Sequence, residues 1–175
     1  MQPLDEALGH WHEFYMLIGT AAGTLVGLLF VAASFGSGVF SPDRQAPLRV
    51  FLSASVVHFG SVLVVSALVL APIASWAVFG SFVIACGMLG LGYYGMAQLD
   101  AWRDGLLANL SWDDRVWYAA LPIIAYAVET AAGIVLVMHK DAGSAALAAS
   151  LLGLLVVGIH NAWDITVWAM TRRRE

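Results

Sequence analysis

Four titratable side chains sit where an apolar chain accommodates them least: His58, Glu129, His160 and Asp164. Each interrupts a run of residues apolar enough to enter a bilayer, where ionisable groups are costly and by default functional. On the lenient insertion scale an aspartate at a helix centre costs about +2.5 to +3.5 kcal/mol. The densest stretch is Gly158-Ile159-His160-Asn161-Ala162-Trp163-Asp164, which offers an imidazole, a carboxamide and a carboxylate. His160 and Asp164 are four apart and share a helix face, with Asn161 flanking it. Ser55, His58 and Ser61 form a second polar stripe, and Pro122, Tyr126, Glu129 and Gly133 a third.

These residue types suit several chemistries. Titratable groups spaced through a membrane, with histidine able to switch near neutral pH, are the materials of a proton or cation pathway. Asp164 would face one mouth, His160 and His58 the centre, Glu129 the far side, and Glu13, His12 and His139 the outer mouth. The same four residues, His58, Glu129, His160 and Asp164, are suitable ligands for a transition metal such as Zn, Fe or Cu. His10, His12, Glu13 and His139 make a second, outer-face candidate cluster. Two histidines at one depth on two helices also suit the axial positions of haem b, with Gly60 and Gly158 leaving room. A non-catalytic subunit or modulator of a larger membrane complex is a further alternative, and hydrogen bonds that merely bridge helices are the bland one. The leading expectation is a proton- or metal-ion-conducting or -transporting protein. No catalytic residue is expected, since neither G-x-S-x-G nor a Walker A sequence is present.

The elements that must position these groups follow from the apolar runs. The chain has 175 residues, 61% hydrophobic and 11% charged, where soluble domains carry roughly 25% charged residues. Mean hydropathy is +0.81. Apolar runs long enough to span recur throughout, and the spacing predicts an all-α integral membrane bundle of five transmembrane helices at about 13–35, 48–71, 75–98, 115–138 and 144–170. The whole of 1–175 reads as one membrane domain. Ser41-Pro42-Asp43 suits a helix start. The short turn at Pro72 predicts that the second and third spans pack as neighbours. Residues 99–114 read as an amphipathic surface helix or an ordinary loop, with Ser111-x-x-Asp114 as a capping box for the fourth span. Pro122 is expected to kink that span.

Charge sets the orientation. With the C-terminus inside, Arg44, Arg49, Arg103, Arg115 and Arg172–Arg174 are cytoplasmic and only Lys140 is outside, a strong positive-inside bias. Five spans then leave the N-terminus outside. With a rise of about 1.5 Å per residue, His58 and His160 each lie about 15 Å from the cytoplasmic surface and so level with one another. No Lys or Arg precedes the first apolar run, which argues against a cleavable signal peptide. The single cysteine, Cys86, excludes an intrachain disulfide and a Cys-rich metal motif. A net charge of −4 with scattered basic residues argues against nucleic-acid binding.

On the first span, Glu13, Thr20, Thr24 and Ser34 suggest an inward polar face. Gly19-x-x-x-Gly23-x-x-x-Gly27 offers a flat groove, either for close packing within the bundle or for a homo-oligomer or membrane-complex partner. The run Gly19-Thr20-Ala21-Ala22-Gly23-Thr24-Leu25-Val26-Gly27-Leu28-Leu29-Phe30-Val31-Ala32-Ala33-Ser34 resembles the first helix of a broad group of small bacterial polytopic inner-membrane proteins. The resemblance covers this helix, implies a multi-pass inner-membrane location and carries over no activity or site residue.

Overall fold

The computed structural model describes residues 4–36, 42–73, 75–103, 112–138 and 140–171. All regular elements among them are helical: α1 (Leu4–Gly9), α2 (His12–Gly36), α3 (Pro42–Leu70), α4 (Trp76–Arg103), α5 (Trp112–Arg115), α6 (Leu121–Val137) and α7 (Ala142–Thr171), with a π-helical turn at Val116–Ala120 joining α5 to α6. Four stretches are long and apolar enough to cross a membrane: His12–Ser34, Trp76–Met96, Trp112–Val137 and Ala142–Asp164. Among the described side chains of α3, the apolar stretch is Ala54–Leu70.

Several boundaries depart from expectation. Before the first span, the short helix α1 buries Leu4 and Leu8. α3 begins at Pro42, on the Ser-Pro-Asp signal itself, where the fixed proline φ suits a first turn. α4 continues to Arg103, past the expected end at 98. The remainder of the proposed amphipathic segment, 104–111 with Ser111 of the capping box, lies outside the described residues, as do His139 and Arg172–Arg174. The irregularity expected at Pro122 takes the form of the π-helical turn just before it. The Leu121 N–H donates to the Val116 carbonyl, five residues back. Pro122 has no N–H to continue an ordinary ladder, and the widened turn absorbs that break.

The helices do not pair in chain order. The most extensive contacts are α4 with α6, then α6 with α7, α2 with α3, and α3 with α7. α3 and α4, joined by the short Pro72 turn, touch only lightly, so the expectation that they are close neighbours is corrected. Glycines decide the partner. A Cβ on Gly80 would lie 2.8 Å from the Gly133 carbonyl oxygen, and one on Gly133 would lie 2.9 Å from that of Gly80. Gly87 sits against the Thr130 backbone and Gly90 against the Tyr126 ring. These positions recur on one face of α4 and bring its backbone onto α6. The core between the helices is filled by Phe59, Val62, Val65, Phe79, Leu151 and Leu154, all fully buried.

The α2 groove is used inside the molecule. A Cβ on Gly19 would lie 2.8 Å from that of Ser66 on α3, and one on Gly23 would lie 3.6 Å from Leu63. Gly27 has open space around it. Gly19→Val is therefore expected to destabilise the protein by about 1–3 kcal/mol, and Gly27→Val by less than about 0.5 kcal/mol. Thermal unfolding in detergent checks this, and equal losses would remove the α2–α3 contact from the account. The polar stripe expected to face inward on this helix faces outward. Thr20, Thr24 and Ser34 are exposed. Their hydroxyls donate to the carbonyls of Met16, Thr20 and Phe30, each one turn earlier. A back-bonded hydroxyl is already satisfied and needs no protein partner.

Candidate functional site

His58 is the centre of the buried polar structure. α3 places it among α4, α6 and α7, and it is fully buried. Its Nδ1 lies 3.1 Å from the Tyr126 hydroxyl on α6, and its Nε2 lies 2.5 Å from the Tyr94 hydroxyl on α4. The Tyr94 ring stacks on the imidazole at 4.9 Å between centroids and 16° between planes. A neutral imidazole has one N–H and one lone pair. One tyrosine therefore donates its O–H to the ring while the other accepts the ring N–H. Two arrangements satisfy this, with the hydrogen bonds running from Tyr94 to Tyr126 or the reverse.

Glu129 lies one turn beyond Tyr126 on α6 and is also fully buried. Neither of its carboxyl oxygens has a hydrogen-bond partner among the described residues. Asn161 on α7 and Ser55 on α3 are buried, and the Asn161 Oδ1 and the Ser55 Oγ lack partners in the same sense.

His160 and Asp164 belong to a different locale. Their side chains are 32% and 40% exposed, with His160 Nδ1 3.5 Å from Asp164 Oδ2. His160 stacks face to face on Trp117, 3.9 Å between centroids and 3° between planes. The Tyr118 hydroxyl donates to Asp164 Oδ2 at 3.1 Å. Trp117 and Tyr118 are consecutive, and both come from the π-helical turn. That turn carries the two aromatic residues that meet α7.

His58 and His160 thus have different partners: His58 has two tyrosines, and His160 has Trp117 and Asp164. Among the described residues, no three His, Cys, Asp or Glu side chains gather as metal ligands. His58, Glu129, His160 and Asp164 are not brought together in that way, and His10, His12 and Glu13 stand exposed at the N-terminal end. Both His58 nitrogens are already engaged, so ligation of a haem iron would displace a tyrosine. Gly158, expected to leave room for such a group, faces the Phe59 ring, where a Cβ would lie 2.5 Å away.

No protein-family model, curated protein or solved structure matches the chain. The site must therefore be judged on its own geometry. Tyr94, Trp117 and Tyr118 are the members that sequence reasoning overlooked. Their signal was present: a tyrosine hydroxyl in an apolar helix needs a partner when buried.

Proposed function

We propose that this chain is a multi-pass membrane protein that conducts or carries protons through Tyr94, His58 and Tyr126, with Glu129 as a proton-holding group beyond Tyr126. The hydrogen-bonded chain through both nitrogens of His58 supports this most directly. Its two arrangements differ by passage of one proton through the ring. When Tyr94 gives its proton to Nε2 and takes up another from the entry side, Nδ1–H gives its own to Tyr126 and Tyr126 releases its hydroxyl proton toward Glu129; the bonds end up reversed, and tautomer reversal resets them. Histidine suits that role because its neutral ring has two tautomers, each with one donor and one acceptor nitrogen.

The membrane frame is part of the proposal. Five spans, with α3 as the second, place the N-terminus outside and the C-terminus in the cytoplasm of a bacterial inner membrane. The positive-inside bias and the resemblance of the α2 sequence support it. A proton rather than a metal ion is favoured because each His58 nitrogen already has a hydroxyl partner. Gly27, open where Gly19 and Gly23 are covered, leaves a short stretch of α2 for a second copy or a membrane-complex partner.

Reconstitution tests the pathway. Purified protein in liposomes enclosing a pH-sensitive dye is expected to pass protons under an imposed potential. His58→Phe is expected to lower the rate by roughly 100-fold, and Tyr94→Phe by less, since a water can replace a hydroxyl. Equal rates with the wild-type protein and His58→Phe would overturn the proposal.

A further inference from the structure

We infer that a hydrated passage between α3 and α7 connects His58 with the surface at Asp164 and is the route by which protons reach the imidazole from that end. The inference rests on the proton pathway proposed above and names its access route.

The register of the helices orders the groups. Gly19 faces Ser66 and Gly23 faces Leu63, so α2 and α3 run in opposite directions. The Tyr15 hydroxyl donates to the Ser144 carbonyl at 3.3 Å, which sets the start of α7 beside the start of α2. α7 is therefore antiparallel to α3, and Gly158 meets Phe59 between them. One turn toward the Asp164 end, about 5 Å, leads from Phe59 to Ser55 on α3 and from Gly158 to Asn161 on α7. Ser55 and Asn161 thus share a level, and Ser55 shares its helix face with His58.

Both side chains are buried, and the Ser55 Oγ and Asn161 Oδ1 have no hydrogen-bond partner among the described residues. Buried polar atoms in native proteins are almost always paired with protein or ordered water, and a buried water makes about three hydrogen bonds. Two unpaired oxygens at one level, a turn from an imidazole, are a site for water. One turn further along α7 is Asp164, held by Tyr118 and partly exposed. The order along the axis is therefore Asp164, Asn161 with Ser55, His58 with Tyr94, Tyr126, and Glu129.

Val65, two turns further from the Asp164 end on α3 than His58, is fully buried and apolar and serves as the dry reference position.

Cysteine accessibility tests the passage without relying on flux. In the full-length protein carrying Cys86→Ala, Ser55→Cys is expected to react with a small, charged methanethiosulfonate added from the C-terminal side. The rate should exceed that of Val65→Cys by at least an order of magnitude, since the reactive thiolate forms only where water reaches it. Adding Asn161→Leu should suppress both this labelling and proton flux, with unchanged thermal unfolding. Ser55→Cys reacting no faster than Val65→Cys would overturn the passage even if flux and its dependence on His58 stood. Labelling without any flux in the wild-type protein would instead overturn the proton pathway, and with it the passage as a proton route.

Discussion

Gly90→Leu is expected to be among the most damaging single substitutions in this protein, lowering both its stability and its proton flux. A Cβ at this position would clash with Cδ1 of the Tyr126 ring. That ring is fully buried and holds its hydroxyl on His58 Nδ1, so it cannot swing aside and keep the bond. Overpacking of a tight core costs about 1–3 kcal/mol, and a buried nitrogen left unpaired costs about 1–3 kcal/mol more. Gly92→Leu is the control, since nothing lies within 4 Å of a Cβ there. Its effect should stay within about 0.5 kcal/mol. Thermal unfolding in detergent and dye-monitored flux in liposomes check both. Similar behaviour of the two variants would mean that α4 does not hold Tyr126 in place.

The contrast between Gly90 and Gly92 shows what sequence can and cannot resolve. Apolar run length predicted an all-helical chain, and four stretches are long and apolar enough to span, because span length follows from composition alone. It could not say which helix meets which. α4 follows α3 after a short turn yet packs on α6, because backbone approach at Gly80, Gly87 and Gly133 depends on which small residues face each other. The same limit applies to the site. His58, Glu129 and Asn161 stood out because buried polar groups are rare in apolar helices. Tyr94 did not, because it resembles a core aromatic until its hydroxyl is seen on a ring nitrogen. Thr20 and Thr24 misled for the opposite reason: a hydroxyl bonded to its own helix can face any direction. The pairing of His160 with Trp117 was not legible, because it required the π-helical turn that accommodates the missing N–H of Pro122.

Glu129→Gln is expected to separate proton chemistry from structure. Glu129 is fully buried, and neither oxygen has a hydrogen-bond partner among the described residues. An unpaired carboxylate in such surroundings is prohibitively costly, whereas a carboxylic acid costs only as much as other unpaired polar groups. The amide matches the acid in shape and charge, so Glu129→Gln should unfold within about 0.5 kcal/mol of the wild-type protein. It cannot release a proton, so flux should fall by roughly 100-fold. A carbodiimide, which labels carboxylic acids in apolar surroundings, should modify Glu129 in the wild-type chain and block flux, with the adduct located by mass spectrometry. Glu129→Leu sharpens the comparison. Removing an unpaired polar group should leave the protein as stable as before or more so, while flux is lost. If Glu129→Gln kept full flux, the proton path would have to leave the Tyr94–His58–Tyr126 chain by another route. If it unfolded the protein, the carboxyl would be ionised and paired in the native state, and Glu129 would be a structural ion-pair member rather than a proton-holding group.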